Sequence, residues 1–299
     1  MPRVAAITMA FNEPEFLPLW LEHYGRMVGH DNLYVVSFAD RVQRADSSRR
    51  HQLIDLPDVD FDEVKRAAMM SSLQSMLLQS YDWVVMSDAD ELIVPDSARY
   101  AGLADYLRAK ADEPYFNVVG FNVVQDRRHE PALDARKPLL RQRSWVRFDA
   151  VYCKPLLSRV PLIWGPGFHA CDRPRRQTDD LFMFHLRAAD ETVARTRSAR
   201  LKRLRMSQSD VKAGHSRHFS LHVDEYLAHV FPDPGEFATA MDGFDPAPDI
   251  DHLRRVPEDF HYRGRLCRLP PRFADVIAPA PSRPGRLRHR LGRFFGSGT

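Results

Sequence analysis

The stretch Tyr81-Asp82-Trp83-Val84-Val85-Met86-Ser87-Asp88-Ala89-Asp90-Glu91-Leu92-Ile93-Val94 decides the fold. An apolar run ends in three carboxylates within four residues, and a second apolar run follows at once. Trp and Val favour extended backbone, and a short apolar run between polar flanks reads as a buried strand. Asp88 and Asp90 then stand at or just past its carboxyl end, with a return strand behind them. In open α/β sheets that edge is where ligands bind. Carboxylates gathered there repel one another unless something positive neutralises them. A hard divalent cation with oxygen ligands, Mg²⁺ or Mn²⁺, does so. The plainer reading is a solvated acidic turn, and the strands on both sides weigh against it.

Upstream, Val4 to Met9 reads as a buried first strand. Asn12 suits a helix N-cap and Pro14 a first turn. Leu17, Trp20, Leu21, Tyr24, Met27 and Val28 then recur at helical spacing. Leu33 to Phe38 reads as a second strand ending near Asp40. This β-α-β opening predicts an α/β fold with a mainly parallel, doubly wound sheet. Residues 41–60 are polar and read as a loop or weak helix. Phe61 to Ser80 reads as a helix with Val64, Ala68, Met69, Leu73, Met76 and Leu77 available to the core.

Downstream, Leu103 to Leu107 fits a short helix and Val118 to Val124 a strand buried on both faces. Residues 126–145 are basic and loop-like. Trp145 to Phe148 and Val151 to Cys153 read as short strands, and Trp164 to His169 as a turn-rich segment. Leu181 to Arg187 is an apolar strand interrupted by His185, and a helix begins near Asp190. Residues 207–275 carry only short helical hints between proline-rich joints, so a mostly helical C-terminal region is expected. The predicted organisation is a domain over 1–205, an extension over 206–278 and a basic tail over 279–299.

The chain of 299 residues is 44% hydrophobic, enough for a sizeable core, and its net charge of +3 demands no nucleic acid. Cys153, Cys171 and Cys267 have no metal-site spacing and an odd count, as in reduced cytoplasmic proteins. No secretory leader is expected from the polar residues 2–12, and no apolar run approaches the roughly 20 residues of a membrane span. No fixed repeat is present. Arg283, Arg286, Arg288, Arg290 and Arg293 follow the last acidic residue, Asp275. That tail reads as solvated chain, or as a peripheral contact with an anionic membrane face.

Thr8-Met9-Ala10-Phe11-Asn12-Glu13 with Glu15-Phe16-Leu17-Pro18-Leu19-Trp20-Leu21 resembles the opening of glycosyltransferase family 2-like proteins. The subgroup suggested is the one that also resembles family 92 enzymes. There too a strand such as Trp83 to Met86 leads into D-x-D-E and an apolar run. A late apolar-His-hydrophobic-Arg segment before a helix also occurs there, and Phe184-His185-Leu186-Arg187 with Asp190-Glu191 is similar to it. The likeness covers roughly residues 1–205. It implies a GT-A-type nucleotide-binding sandwich and sugar transfer from a nucleotide-sugar, a UDP-sugar foremost. The anomeric carbon would invert, and a basic tail on a membrane surface would suit a saccharide or lipid-linked acceptor, as in polysaccharide biosynthesis.

The resemblance also implies roles. Asp90 would meet the metal, Asp88 the ribose or the metal's water, and His185 would complete the metal shell, with His169 as competitor. Thr8, Ala10, Asn12 and Glu13 would lie at the nucleotide, and Asp40 would contact a pyrimidine, although Ser37-Phe38-Ala39-Asp40 lacks the usual acidic run. A divalent cation there stabilises charge developing on a leaving diphosphate. Lys65 or Arg66 is within reach of a diphosphate on paper, with a solvated helix face as the plainer role. Inversion needs a carboxylate base. Asp149, Asp172, Asp179 and Asp180 are candidates, and spacing selects none, while Glu91 suits holding the motif loop. Two other classes stay open: a metal-dependent phosphate-ester hydrolase, and an inert nucleotide-binding scaffold.

Overall fold

Every side chain of β1 (Val4–Ala10) is buried, as a central strand covered on both faces requires. In the computed structural model, which describes residues 1–11, 13–38, 51–57 and 59–280, β1 lies between two parallel partners. These are β2 (Leu33–Phe38) and β4 (Trp83–Met86). β3 (Gln52–Leu56) adds a fourth parallel strand outside β2. Asn12, Asp40, residues 41–50 and the tail from 281 lie outside the described residues, and so do the expectations placed on them.

The second half of the sheet is mixed. β6 (Tyr115–Val124) is buried along its whole length and pairs with three strands. These are β7 (Trp145–Asp149) and β8 (Pro155–Ser158), both antiparallel, and β9 (Gln177–Ala188), parallel. β8 joins this half to β4. β5 (Glu91–Pro95), the return strand after the acidic turn, pairs antiparallel with β9. The fold is thus α/β, with a ten-stranded sheet among the described residues and helices around it.

α1 (Leu17–Val28) packs Trp20, Leu21 and Tyr24 into the core. It begins after Phe16 with Pro18 in its first turn, so Pro14 precedes the helix rather than opening it. α2 (Glu63–Leu77) buries Arg66, Ala67, Met70, Leu73, Gln74 and Leu77. The expected face is displaced by about a residue: Val64 and Met76 are exposed because the helix turns polar Glu63 and Arg66 inward. β3 replaces the expected loop; its side chains are mostly exposed, so it lacks the apolar pattern of a buried strand. Residues 150–152 form a 3-10 turn instead of a strand, and the next strand begins at Pro155. A Cβ on Gly120 would stand 2.4 Å from the Tyr152 carbonyl carbon, so this turn lies directly on β6.

α3 (Leu103–Ala109) is short, and α4 (Glu191–Leu201) starts where expected, its cap Asp190 accepting from Val193 N. The later chain holds α5 (Gln208–Ala213), α6 (Val223–Val230) and α7 (Ala247–Arg255). It also returns to the sheet as β10 (Arg263–Arg268), antiparallel to β7. Among the described residues no helix is long and apolar enough to cross a membrane.

Candidate active site

The acidic turn between β4 and β5 is held from beneath by α1. Trp20 Nε1 donates to Ser87 Oγ at 2.9 Å, and Ser87 donates to Tyr24 Oη at 3.1 Å. Tyr24 donates to Glu91 O and accepts from Ile93 N, each at 3.1 Å. The Leu186 N–H of β9 donates to Asp90 O at 2.9 Å. The turn is therefore fixed by buried bonds to two separate elements.

Its carboxylates are neutralised by cations of the chain. Asp88 lies 3.2 Å from Arg66 Nη2 and 3.2 Å from Lys154 Nζ. Lys154 Nζ also lies 2.6 Å from Glu91. Arg197 Nη1 lies 2.6 Å from Asp90 Oδ2, and its Nε 3.0 Å from Glu13. Burial works against ionisation of Asp90, but the Arg197 guanidinium outweighs it and holds the carboxyl far below its usual range. Burial likewise opposes Asp88, and Lys154 and Arg66 lower it. Burial also opposes the Lys154 ammonium, which Glu91 and Asp88 hold protonated.

His185 is set between strands by register. Glu91 of β5 stands opposite it on one side and Asn122 of β6 on the other. Its Nδ1 lies 2.8 Å from Asn122 Oδ1, and Asn122 Nδ2 donates at 3.0 Å to Asp149. Asp149 is ion-paired to Arg263 at 3.3 Å. Because the amide N–H₂ serves that carboxylate, the amide oxygen must accept, and Nδ1 of His185 carries the proton. Burial lowers the His185 pKa to about 4, so its Nε2 presents a bare lone pair. That atom faces Asp90 Oδ2 at 3.2 Å. Two electron-pair donors meet there, with Asn122 orienting the imidazole from behind, and a divalent cation held by them would share Asp90 Oδ2 with Arg197 Nη1, 2.6 Å away.

Among the described residues no group of three or more His, Cys, Asp or Glu side chains is gathered to enclose a metal. Asp88 is engaged by Arg66 and Lys154, so Asp90 and His185 are the pair that could hold an ion, at an open site rather than in an all-protein cage. Mg²⁺ is commonly held that way, by one or two carboxylates with phosphate oxygens completing the shell.

These residues line a cavity of about 310 Å³. Met9 of β1, with Phe11 and Glu13 just after the strand, contributes to its wall. Thr8 and Ala10, expected at the nucleotide, are buried elsewhere, because successive strand side chains point to opposite faces. An apolar cleft of about 530 Å³ adjoins at the ends of β1 and β2. In it Phe11 stacks on Phe38 with ring centroids 4.5 Å apart, and the Arg66 guanidinium lies 4.8 Å from the Phe61 ring centre. Lys65 is exposed. His169 lines the cavity, but its Nδ1 is bonded to Val151 O at 2.8 Å and it is not brought to Asp90.

Of the four base candidates, Asp149 alone is linked to the site, through Asn122. Asp172 accepts from Ile163 N, Asp179 pairs with Arg99, and buried Asp180 is bonded to Lys110, Tyr100 and Thr178. Asp179 and Asp180 sit near the opposite end of β9 from His185. Sequence reading missed Asn122, Lys154, Arg197 and the Phe11–Phe38 pair. No local pattern marks them, since they meet the motif only through tertiary packing.

No family model matches the chain, and no curated protein matches it. Among solved structures it is similar to the mannosyltransferase PcManGT from Pyrobaculum calidifontis in complex with GDP-Man and Mn²⁺. The identity is 20% and the TM-score 0.27, over 42% of this chain and 36% of that one. The chain thus spans little more than a third of that structure's length, and a likeness so slight carries no argument.

Proposed function

We propose that this protein is a glycosyltransferase that moves a sugar from a nucleotide-sugar to a saccharide or lipid-linked acceptor, with a divalent cation held by Asp90 and His185 beside Asp88. The observation that carries the reading is His185 Nε2 facing Asp90 Oδ2 at 3.2 Å in a cavity at the carboxyl edge of the parallel strands. When bound, Mn²⁺ or Mg²⁺ would offset charge on a leaving diphosphate. Asn122 keeps the His185 tautomer that such an ion needs. Arg66 and Lys154 flank Asp88 and are placed to follow phosphate oxygens. Phe11 and Phe38 offer a flat apolar wall for a nucleobase, a UDP-sugar being the first to try.

Residues 1–205 would form the nucleotide-binding domain and 206–278 its cover, since His215, Ser216, His218, Phe219 and Tyr226 line the same cavity. Transfer would proceed with inversion, and Asp149, whose pKa burial raises, would take the acceptor proton.

The test is calorimetric titration of the full chain with Mn²⁺ and with UDP, GDP, dTDP and CMP in turn, on wild type and Asp90→Ala. The reading expects one nucleotide to bind only with Mn²⁺, and the variant to lose both. Nucleotide binding indifferent to Mn²⁺ would favour a metal-free site in which Arg66 and Lys154 alone meet the phosphates. Binding without turnover on any acceptor would favour an inert scaffold, and phosphate release without acceptor a hydrolase.

A further inference from the structure

A second, smaller cleft of about 120 Å³ lies beside the main cavity and is lined by Asn122, Arg147, Asp149, Arg187, His229 and Arg263 among others. Arg187 lines both spaces. It differs from the cations around it. Arg66 is paired with Glu63 and Asp88, Lys154 with Asp88 and Glu91, and Arg197 with Glu13 and Asp90. In the cleft Arg147 is paired with Glu236 and Arg263 with Asp149. The Arg187 side chain makes no ion pair or hydrogen bond among the described residues, although its charge is felt by Asp149, and its Nε is buried without a partner. Its guanidinium rests against the Tyr152 ring, 5.1 Å from the ring centre, and that contact leaves the planar fork of N–H groups unspent. A buried N–H without an acceptor is costly, and native structures hold such groups where an ion, a water or a ligand answers them.

We propose that the cleft is an acceptor subsite whose anion-binding residue is Arg187, so that the acceptor is a sugar bearing a carboxylate or a phosphate. The inference rests on the transferase reading and adds the acceptor class to it. The order of the strands gives the side. Phe11 and Phe38 stand at the ends of β1 and β2, the acidic turn follows β4, and His185 and Arg187 follow on β9 beyond it. A nucleotide with its base on the phenylalanines and its diphosphate at the acidic turn directs its sugar toward β9. The acceptor then approaches from the far side, past Arg187, and meets Asp149 in the same cleft. Guanidinium binds carboxylate and phosphate through two parallel N–H bonds, which fixes orientation as well as charge. A cleft of this volume admits one such group with part of its ring.

The test titrates the full chain with D-glucuronate, glucose 6-phosphate and the neutral methyl glucoside. Binding is read by calorimetry and by the ring signals of His229, assigned with His229→Gln. The expected result is binding of at least one anionic sugar at least tenfold more tightly than methyl glucoside, with movement of the His229 signals. Arg187→Gln abolishes that preference and Arg187→Lys keeps part of it. The better of the two anionic sugars tells a carboxylate acceptor from a phosphorylated one. Equal binding of neutral and anionic sugars overturns the inference, as does unchanged preference in an Arg187→Gln protein whose thermal unfolding matches wild type. Mn²⁺ and nucleotide binding on the same samples separates the two readings. If they are absent from wild type while the anion preference stands, the transferase reading fails and the anion site remains. If they are present without the preference, the acceptor inference alone fails.

Discussion

Asn122 of β6 holds the ring of His185 on β9 through a 2.8 Å bond from Nδ1, and that bond decides what Nε2 offers to Asp90. Partners behind a ligating imidazole fix its tautomer and raise its basicity, and their loss costs about 10–100-fold in metal affinity. Asn122→Ala should weaken Mn²⁺ binding by about that range with the fold retained, and titration followed by electron paramagnetic resonance measures it. Asn122→Asp, which still accepts from Nδ1–H, should lose less. Equal Mn²⁺ affinity in wild type and Asn122→Ala would remove Asn122 from the metal argument.

Arg197 is the cation shared by Asp90 and Glu13, with side-chain exposures of 14% for the arginine and 3% and 6% for its partners. Arg197→Met leaves buried Asp90 without its guanidinium, while Glu13 keeps Arg200 at 3.3 Å. Breaking a buried pair by removing one partner costs about 3–5 kcal/mol, and urea unfolding at pH 7 should show a loss of that order. Mn²⁺ should raise the melting temperature of the variant by more than that of wild type, because the ion replaces part of the lost charge. An equal rise in both proteins would show that the ion does not bind at Asp90.

The acidic turn and its two strands were legible because four consecutive apolar residues, Trp83 to Met86, are buried on both faces and advertise themselves in composition. β3 and β10 were not legible for the opposite reason. Gln52–Leu56 is an edge with mostly exposed side chains, and Arg263–Arg268 alternates arginine with smaller residues while only Leu266 and Cys267 are buried. The neutralising charge was expected from a metal. The chain supplies cations of its own from positions 22, 66 and 107 residues away, at Arg66, Lys154 and Arg197. Such partners meet only through the packing of helices and loops on the sheet, and a local motif carries no trace of them. The face of α2 was misjudged because a helix wall at a site buries polar side chains, here Glu63 and Arg66, against the usual pattern.

Tyr24 makes three buried hydrogen bonds, to Ser87, Glu91 and Ile93, that span the acidic turn. Tyr24→Phe preserves the packing and strands those partners. Leaving buried polar groups unsatisfied costs roughly 1–3 kcal/mol, so a stability loss of that order is expected in urea. Mn²⁺ affinity should fall as well, because the turn that carries Asp88 and Asp90 loses its support. A variant with lowered stability and intact Mn²⁺ affinity would show that the turn holds its shape without Tyr24.

His23 of α1 is buried with Nε2 2.8 Å from Ile93 O, and burial lowers its pKa to about 4. In the unfolded chain an imidazole titrates near 6.5. As pH falls the unfolded state therefore takes up the proton first, and stability is lost. The contribution is fully present above about pH 6.5 and disappears progressively toward pH 4. Its size, from the separation of the two values, is about 3 kcal/mol. His169 and His218, whose pKa values burial lowers to about 3, add slope of the same sign. His23→Gln carries no such proton, so its stability should fall less steeply than that of wild type between about pH 6.5 and pH 4. Urea unfolding at half-unit intervals across that window reads the difference, and parallel curves for the two proteins would show that His23 does not carry the proton linkage.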